Sequence, residues 1–264
     1  MTKIDNPARR RLEAGEVALG FSLRQSRTVD IASIAATCGF DWLFIDTEHN
    51  SIDGDAVAQI CVAALGAGIS PIVRVPGEEY HQAARALDTG ALGIIFPHVD
   101  TPEQARRAAD ACRYPPGGKR SIAGAMPQFG FAAVPIAEAV PILNATTLVV
   151  VMLETPEAIA NADAIAATPG VDVLLIGSND LCAEMGIHGQ FGHARLRDAY
   201  AKMIAAARRH GKHPGMAGIF DETIMRGYIE MGARFVQGGS DLSFIMTGAK
   251  ARSAFIRSLK PGAA

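Results

Sequence analysis

Short apolar runs alternate with alanine-rich stretches along almost the whole chain. The runs at 17–23, 42–46, 71–75, 93–97, 147–154, 173–177, 213–217 and 235–239 have strand length. Several are continuously apolar, as expected of strands covered on both faces. Between them the spacing predicts helices over 52–67, 79–88, 101–111, 156–167, 195–210 and 222–232. Eight βα units in 264 residues have the size and rhythm of a TIM (β/α)8 barrel, a single α/β domain over 1–264. The alternative is a doubly wound open sheet. The strand count and the lack of a GxGxxG turn after an early strand oppose it. Residues 113–131 are rich in Gly and Pro, too long for a plain turn, and read as a lid-like binding segment. Residues 241–260 predict an extra C-terminal helix with apolar positions at Leu242, Phe244, Ile245, Met246, Phe255 and Ile256. Such a helix closes its own barrel or packs on a neighbouring subunit.

Composition narrows the partners. Hydrophobic residues make up 49% and charged residues 20%, enough to bury a core and inconsistent with overall disorder. The net charge of −2 gives no basic face, which argues against nucleic acid. Mean hydropathy is +0.17, yet no apolar run approaches the roughly 20 residues of a membrane span. Residues 1–16 are polar and carry Arg9, Arg10 and Arg11 without a following apolar block, unlike a secretory signal. The expectation is a cytoplasmic protein. Cys38, Cys61, Cys112 and Cys182 form no CxxC pair and read as small buried residues in a reducing compartment.

In such a barrel the chemistry gathers where strands end. Strand two ends in Asp46-Thr47-Glu48-His49, strand three carries Arg74, strand four ends in Pro97-His98, strand five in Glu154, and strand six in Gly177-Ser178-Asn179-Asp180. Two carboxylates converging at one mouth, Glu154 and Asp180, repel unless a cation or a shared proton intervenes. Mg²⁺ or Mn²⁺ would suit such oxygen ligands. Helix capping explains the same residues equally well: Thr155-Pro156 looks like a cap, and Asp180 fits a first turn opened by Ser178. Arg74, inside an apolar strand, needs an anionic partner: a structural carboxylate on a neighbouring strand, or a substrate oxyanion. Asp46 and His49 stand three apart, so the carboxylate could hold one imidazole nitrogen and leave the other as a base. None of the lysines at 3, 119, 202, 212, 250 and 260 ends a strand, which argues against a Schiff base.

The segments Phe40–His49, Val73-Arg74-Val75-Pro76, Arg113-Tyr114-Pro115-Pro116-Gly117, Leu153-Glu154-Thr155 and Ile176–Leu181, in that order and spacing, resemble the HpcH/HpaI family of class II pyruvate aldolases, over about 17–250. The resemblance implies a barrel with its terminal helix swapped between subunits, in a homohexamer built as a trimer of dimers. It implies reversible aldol cleavage of 4-hydroxy-2-oxo acids to pyruvate, or a related 2-oxo acid, and an aldehyde, with Mg²⁺, Mn²⁺ or Co²⁺ assisting through an enolate. Glu154 and Asp180 would be the metal ligands, His49 the base, Asp46 its orienting partner, and Arg74 the group holding the enolate. Asp88 would raise the basicity of the histidine from a neighbouring subunit. Gly177, Ser178, Asn179 and Asp180 would cradle the substrate carboxylate. Many members carry Gln two residues before the metal-binding Glu; here Met152 stands in its place, so a substrate-contacting amide is replaced by a thioether.

Three other readings stand beside it. A related lyase or decarboxylase could use the same enolate site. Gly238-Gly239-Ser240 could cradle a phosphate, as in phosphosugar isomerase barrels. A non-catalytic barrel is opposed by the convergence of His, Arg and two carboxylates at strand ends.

Overall fold

In a computed structural model describing residues 4–259, eight parallel strands close into a barrel in the order β1 to β8. They are β1 Ala18–Leu23, β2 Trp42–Asp46, β3 Ser70–Arg74, β4 Gly93–Phe96, β5 Leu148–Leu153, β6 Val173–Gly177, β7 His213–Ala217 and β8 Phe235–Ser240. All eight runs expected from the sequence are strands. The helices among the described residues are α1 Pro7–Glu13, α2 Asp30–Thr37, α3 Gly54–Ala67, α4 Tyr80–Asp88, α5 Pro102–Cys112, α6 Ile136–Thr146, α7 Pro156–Ala160, α8 Ala162–Ala167, α9 Ser178–Glu184, α10 Ala194–Arg209, α11 Glu222–Met231 and α12 Asp241–Ser258. The helix expected over 156–167 is broken at Asn161 into α7 and α8. Lys3 and Lys260 lie outside the described residues.

Strand pleating sorts the side chains. Successive residues point to opposite faces, so every second residue enters the barrel. Trp42, Phe44, Ile72, Val150, Met152, Val173, Leu175 and Phe235 form the interior cluster. Leu43, Ile45, Val73, Val149, Val151, Leu174 and Ile176 pack outward in the larger core. Trp42 stacks on Phe235 with ring centroids 4.0 Å apart and donates its indole N–H to Ala18 O at 3.1 Å. Gly20 makes this possible, because a Cβ there would overlap the indole ring.

The N-terminal end is plugged. Asn6 caps α1 by accepting from Arg9 N, with Pro7 in the first turn. Ala8 and Leu12 of α1 join the interior cluster. Asn6 Nδ2 also donates to Leu92 O and Thr146 O.

The segment 113–131 corrects an expectation. It follows α5, and a chain leaving a barrel helix is at the N-terminal face. Arg113 donates to Thr147 O at 2.9 Å and Gly170 O at 3.0 Å, and pairs with Asp172, all just ahead of β5 and β6. Tyr114, Met126 and Phe129 pack with Ile4, Leu92 and Leu143. The segment therefore seals the end opposite the strand C-termini and is no lid over them. Cys61, Cys112 and Cys182 are buried as expected, but Cys38, which caps α2, is exposed. No described helix is long and apolar enough to cross a membrane.

Candidate active site

The inward parity that builds the core also builds the site. Along β2 the inward series runs Trp42, Phe44, Asp46. Along β3 it runs Ile72, Arg74, and along β5 it continues from Val150 and Met152 to Glu154, one residue past the strand. Each series is apolar within and ends on a charge at the mouth. The result is a cavity of about 420 Å³ lined by Arg74, Met152, Glu154, Gly177, Asn179 and Asp180, with His49 at the side.

Asp46 and Arg74 are register partners on adjacent strands. Arg74 Nε donates to Asp46 Oδ1 at 2.9 Å and Nη2 to Oδ2 at 2.7 Å, a two-point charged pair. Arg74 Nη1 lies 2.9 Å from Glu48 Oε2. Burial alone would raise the Asp46 carboxyl, but the bonds and charge of Arg74 outweigh it and hold it below the ordinary value. Burial likewise works against the Arg74 charge, and Asp46 overcomes it. This corrects the expected Asp46–imidazole contact. Asp46 spends its oxygens on Arg74 and on the backbone N–H groups of Glu48 (3.1 Å) and His49 (3.3 Å). The carboxylate beside the His49 ring is that of Glu48, 3.7 Å from Nε2. The structural pairing expected for Arg74 is thus present, and the residue still lines the cavity. A guanidinium has five N–H donors, and Asp46 takes two of them. Glu48 Oε2 sits beside Nη1 as an ion pair without an aligned hydrogen bond, so three donors make no hydrogen bond among the described residues.

Glu154 is buried. Oε2 accepts from His98 N at 2.8 Å, and the His98 ring Nδ1 lies 3.4 Å away. His98 takes a left-handed backbone (φ 51°). Gly177 lets the carboxylate in, since a Cβ at 177 would overlap Oε1. Burial pushes the Glu154 carboxyl up to about 7; the His98 N–H opposes this, and the charge of Asp180 adds to it. Neither carboxylate makes a cap hydrogen bond, although Asp180 does stand in the first turn of α9 as expected. Thr155 caps α7 through its own hydroxyl. Ahead of α9 the cap position is Gly177, with no side-chain cap bond, and not Ser178. Ser178 is buried, with its hydroxyl 2.8 Å from Tyr200 Oη.

Four carboxylates meet two guanidinium groups here. Asp46 and Glu48 share the single positive charge of Arg74. Among the described residues, Asp180 forms no ion pair, and Glu154 has only the His98 ring, which is charged only when protonated. Two adjacent carboxylates without a fixed cation fit a hard divalent ion. No group of three or more His, Cys, Asp or Glu is placed to hold one among the described residues. The remaining ligands would come from water or substrate. No described lysine lines the cavity.

Several participants escaped sequence reasoning. Gln237, an amide in an apolar strand, donates to Ser22 Oγ at 2.6 Å and accepts from Gly218 N at 2.8 Å, tying β8 to β1 and to the turn after β7. Arg24, just past β1, lines the cavity. Buried Asp241 accepts from the N–H groups of Arg24, Gln25 and Ser26. Asp88 is not in this cavity. It ends α4 on the opposite side of the barrel and pairs with Arg120 at 2.6 Å. Gly238 and Gly239 are explained by close packing, since a Cβ would meet Leu19 at the first and Phe244 at the second. Ser240 caps α12 in a reciprocal box with Ser243, which leaves the phosphate reading without support.

The model for the family described as HpcH/HpaI aldolase/citrate lyase matches residues 23–247. The chain is 37% identical over 255 residues to a 4-hydroxy-4-methyl-2-oxoglutarate aldolase of Hapsidospora irregularis, covering 94% of each. It is 37% identical over 233 residues to a 4-hydroxy-2-oxovalerate aldolase of Novosphingobium aromaticivorans, covering 87% of this chain and 86% of that one. The crystal structure of an HpcH/HpaI aldolase from Desulfitobacterium hafniense superposes with a TM-score of 0.90 at 30% identity, covering 96% and 97%.

Proposed function

The chain belongs to the HpcH/HpaI aldolase/citrate lyase family and is a carbon–carbon lyase, and from that premise we propose a metal-dependent aldolase that reversibly cleaves 4-hydroxy-2-oxo acids to pyruvate, or a related 2-oxo acid, and a carbonyl product. The observation that carries this reading is the pair Glu154 and Asp180, unmatched by a fixed cation among the described residues, in one cavity with an arginine that uses only two of its five N–H donors in hydrogen bonds. Glu154 and Asp180 would hold the divalent ion, which when bound supplies Lewis-acid polarisation of the 2-oxo acid.

In cleavage the C3–C4 bond breaks. Its electron pair stays on C3 as an enolate, the C4 hydroxyl loses its proton, and C4 becomes the carbonyl. Arg74 offers its free donors to the developing oxyanion, and its clamp on Asp46 fixes their direction before substrate arrives. His49, at the cavity side with Glu48 near its ring, takes and returns the proton. The leading backbone of α9, uncapped, receives the substrate carboxylate. Met152 closes the inner wall with an apolar contact. It makes no directional bond, so orientation rests on Arg74 and the turn at 177–180.

Asp88 could act on His49 only from a second copy of the chain. Assembly is supported by α12, which leaves Ile245, Phe255 and Ile256 exposed. A swapped helix in a hexamer would bury them.

The test is exchange of pyruvate methyl protons in deuterated water, followed by NMR. The wild type should exchange, and His49→Ala should slow exchange by about 10²- to 10⁴-fold. Undiminished exchange in His49→Ala removes this residue as the base.

A further inference from the structure

The inward series of β1 is Ala18, Gly20, Ser22 and then Arg24, so the parity that delivers Asp46, Arg74 and Glu154 to the mouth also delivers this guanidinium. Its backbone is held: its N–H donates to Asp241 Oδ1 at 2.8 Å, and its carbonyl accepts from Arg27 Nη1 at 3.4 Å. Its head group is not. The Arg24 side chain is 43% exposed, and its one carboxylate contact is 3.5 Å to Asp46 Oδ2, an oxygen already bonded by Arg74 at 2.7 Å. Among the described residues it is the cavity cation without a two-point partner. In the closed strand order β1 lies across from β5. Arg24 therefore stands on the far wall from Glu154, with Phe44, Ser22 and Gln237 beside it.

We propose that Arg24 binds a second carboxylate, on the acceptor side of the substrate, and so selects 4-hydroxy-2-oxo acids that are dicarboxylic. The inference rests on the aldolase reading above. The 2-oxo acid end belongs at the β5–β6 side with Glu154, Asp180 and the turn at 177–180. The carbonyl partner then lies towards β1. A neutral acceptor leaves Arg24 in water, whereas an acceptor with a carboxylate gains a charge-assisted bond from a head group whose backbone is already fixed.

The experiment measures kcat/KM for addition of pyruvate to glyoxylate and to acetaldehyde, in the wild type and in Arg24→Gln and Arg24→Lys. The wild type should prefer glyoxylate. Arg24→Gln should cut the glyoxylate-to-acetaldehyde ratio by about 10- to 100-fold, the range a single hydrogen bond to a charged group supplies, chiefly through KM. Arg24→Lys should restore part of the ratio. A ratio unmoved by Arg24→Gln, or an equal loss with both acceptors, overturns the proposal. Pyruvate proton exchange, which needs no acceptor, is read alongside. Its absence in the wild type would reject the aldolase reading itself, whereas exchange with an unmoved ratio rejects only the role of Arg24.

Discussion

Both ends of the barrel bury charge, and they use it differently. At the N-terminal end Asp172 receives Arg9 at 2.8 Å, Arg113, and the Val149 N–H at 2.7 Å. The guanidinium of Arg113 goes on to backbone carbonyls. Helix α1 and the segment 113–131 then close that end. At the C-terminal end Arg74 is paired as well, yet uses only two of its five N–H donors in hydrogen bonds, and among the described residues Glu154 and Asp180 beside it have no fixed cation. Buried ion pairs alone do not mark a site. Donors and acceptors left unspent in a cavity do.

The largest effect expected from this contrast is at Arg74. Arg74→Ala should lower kcat/KM by about 10²- to 10³-fold, the usual cost of losing an oxyanion donor. It should also lower the melting temperature, because Asp46 would be left buried and unpaired. Steady-state kinetics with parallel calorimetry checks both.

Arg113→Ala should behave in the opposite way. Breaking a buried pair costs about 3–5 kcal/mol, so denaturant midpoints should fall, while kcat well below the new melting temperature should stay within about twofold. A large kcat loss in the folded variant would mean that the two ends are coupled.

The smallest effect is a pH dependence at the closed end. Burial holds the His213 imidazole below its ordinary value of 6.5, so it favours the neutral ring. Stability from this residue is full above 6.5 and is lost as pH falls from there through the lowered value. Chemical denaturation from pH 7.5 to 5 should show a decline that His213→Gln makes shallower.

The strands were legible because parallel-barrel strands are apolar on both faces and end abruptly in polar residues, as at Leu153-Glu154 and Ile45-Asp46. That contrast also exposed most of the mouth. Inter-strand register was not legible, since it depends on barrel closure. Asp46 therefore reads in sequence as the partner of the histidine three residues on, when the register sets it opposite Arg74. Arg24 and Gln237 carry a weaker signal, a polar residue continuing an inward series, visible only once parity is assigned. The segment 113–131 shows the hazard of reading length as function: its position after a helix already placed it at the closed end. Helix α1 was missed because its seven residues bury only one narrow face, although Asn6-Pro7 signals its start.

The most direct measurement is cleavage of a 4-hydroxy-2-oxo acid by protein stripped with EDTA, then supplied with Mg²⁺, Mn²⁺ or Co²⁺, beside Glu154→Gln and Asp180→Asn, with Mn²⁺ binding followed by electron paramagnetic resonance. The account predicts no turnover after stripping, recovery on adding metal, and loss of both turnover and Mn²⁺ binding in each variant. Full cleavage by the stripped protein, or undiminished Mn²⁺ binding in either variant, would contradict it.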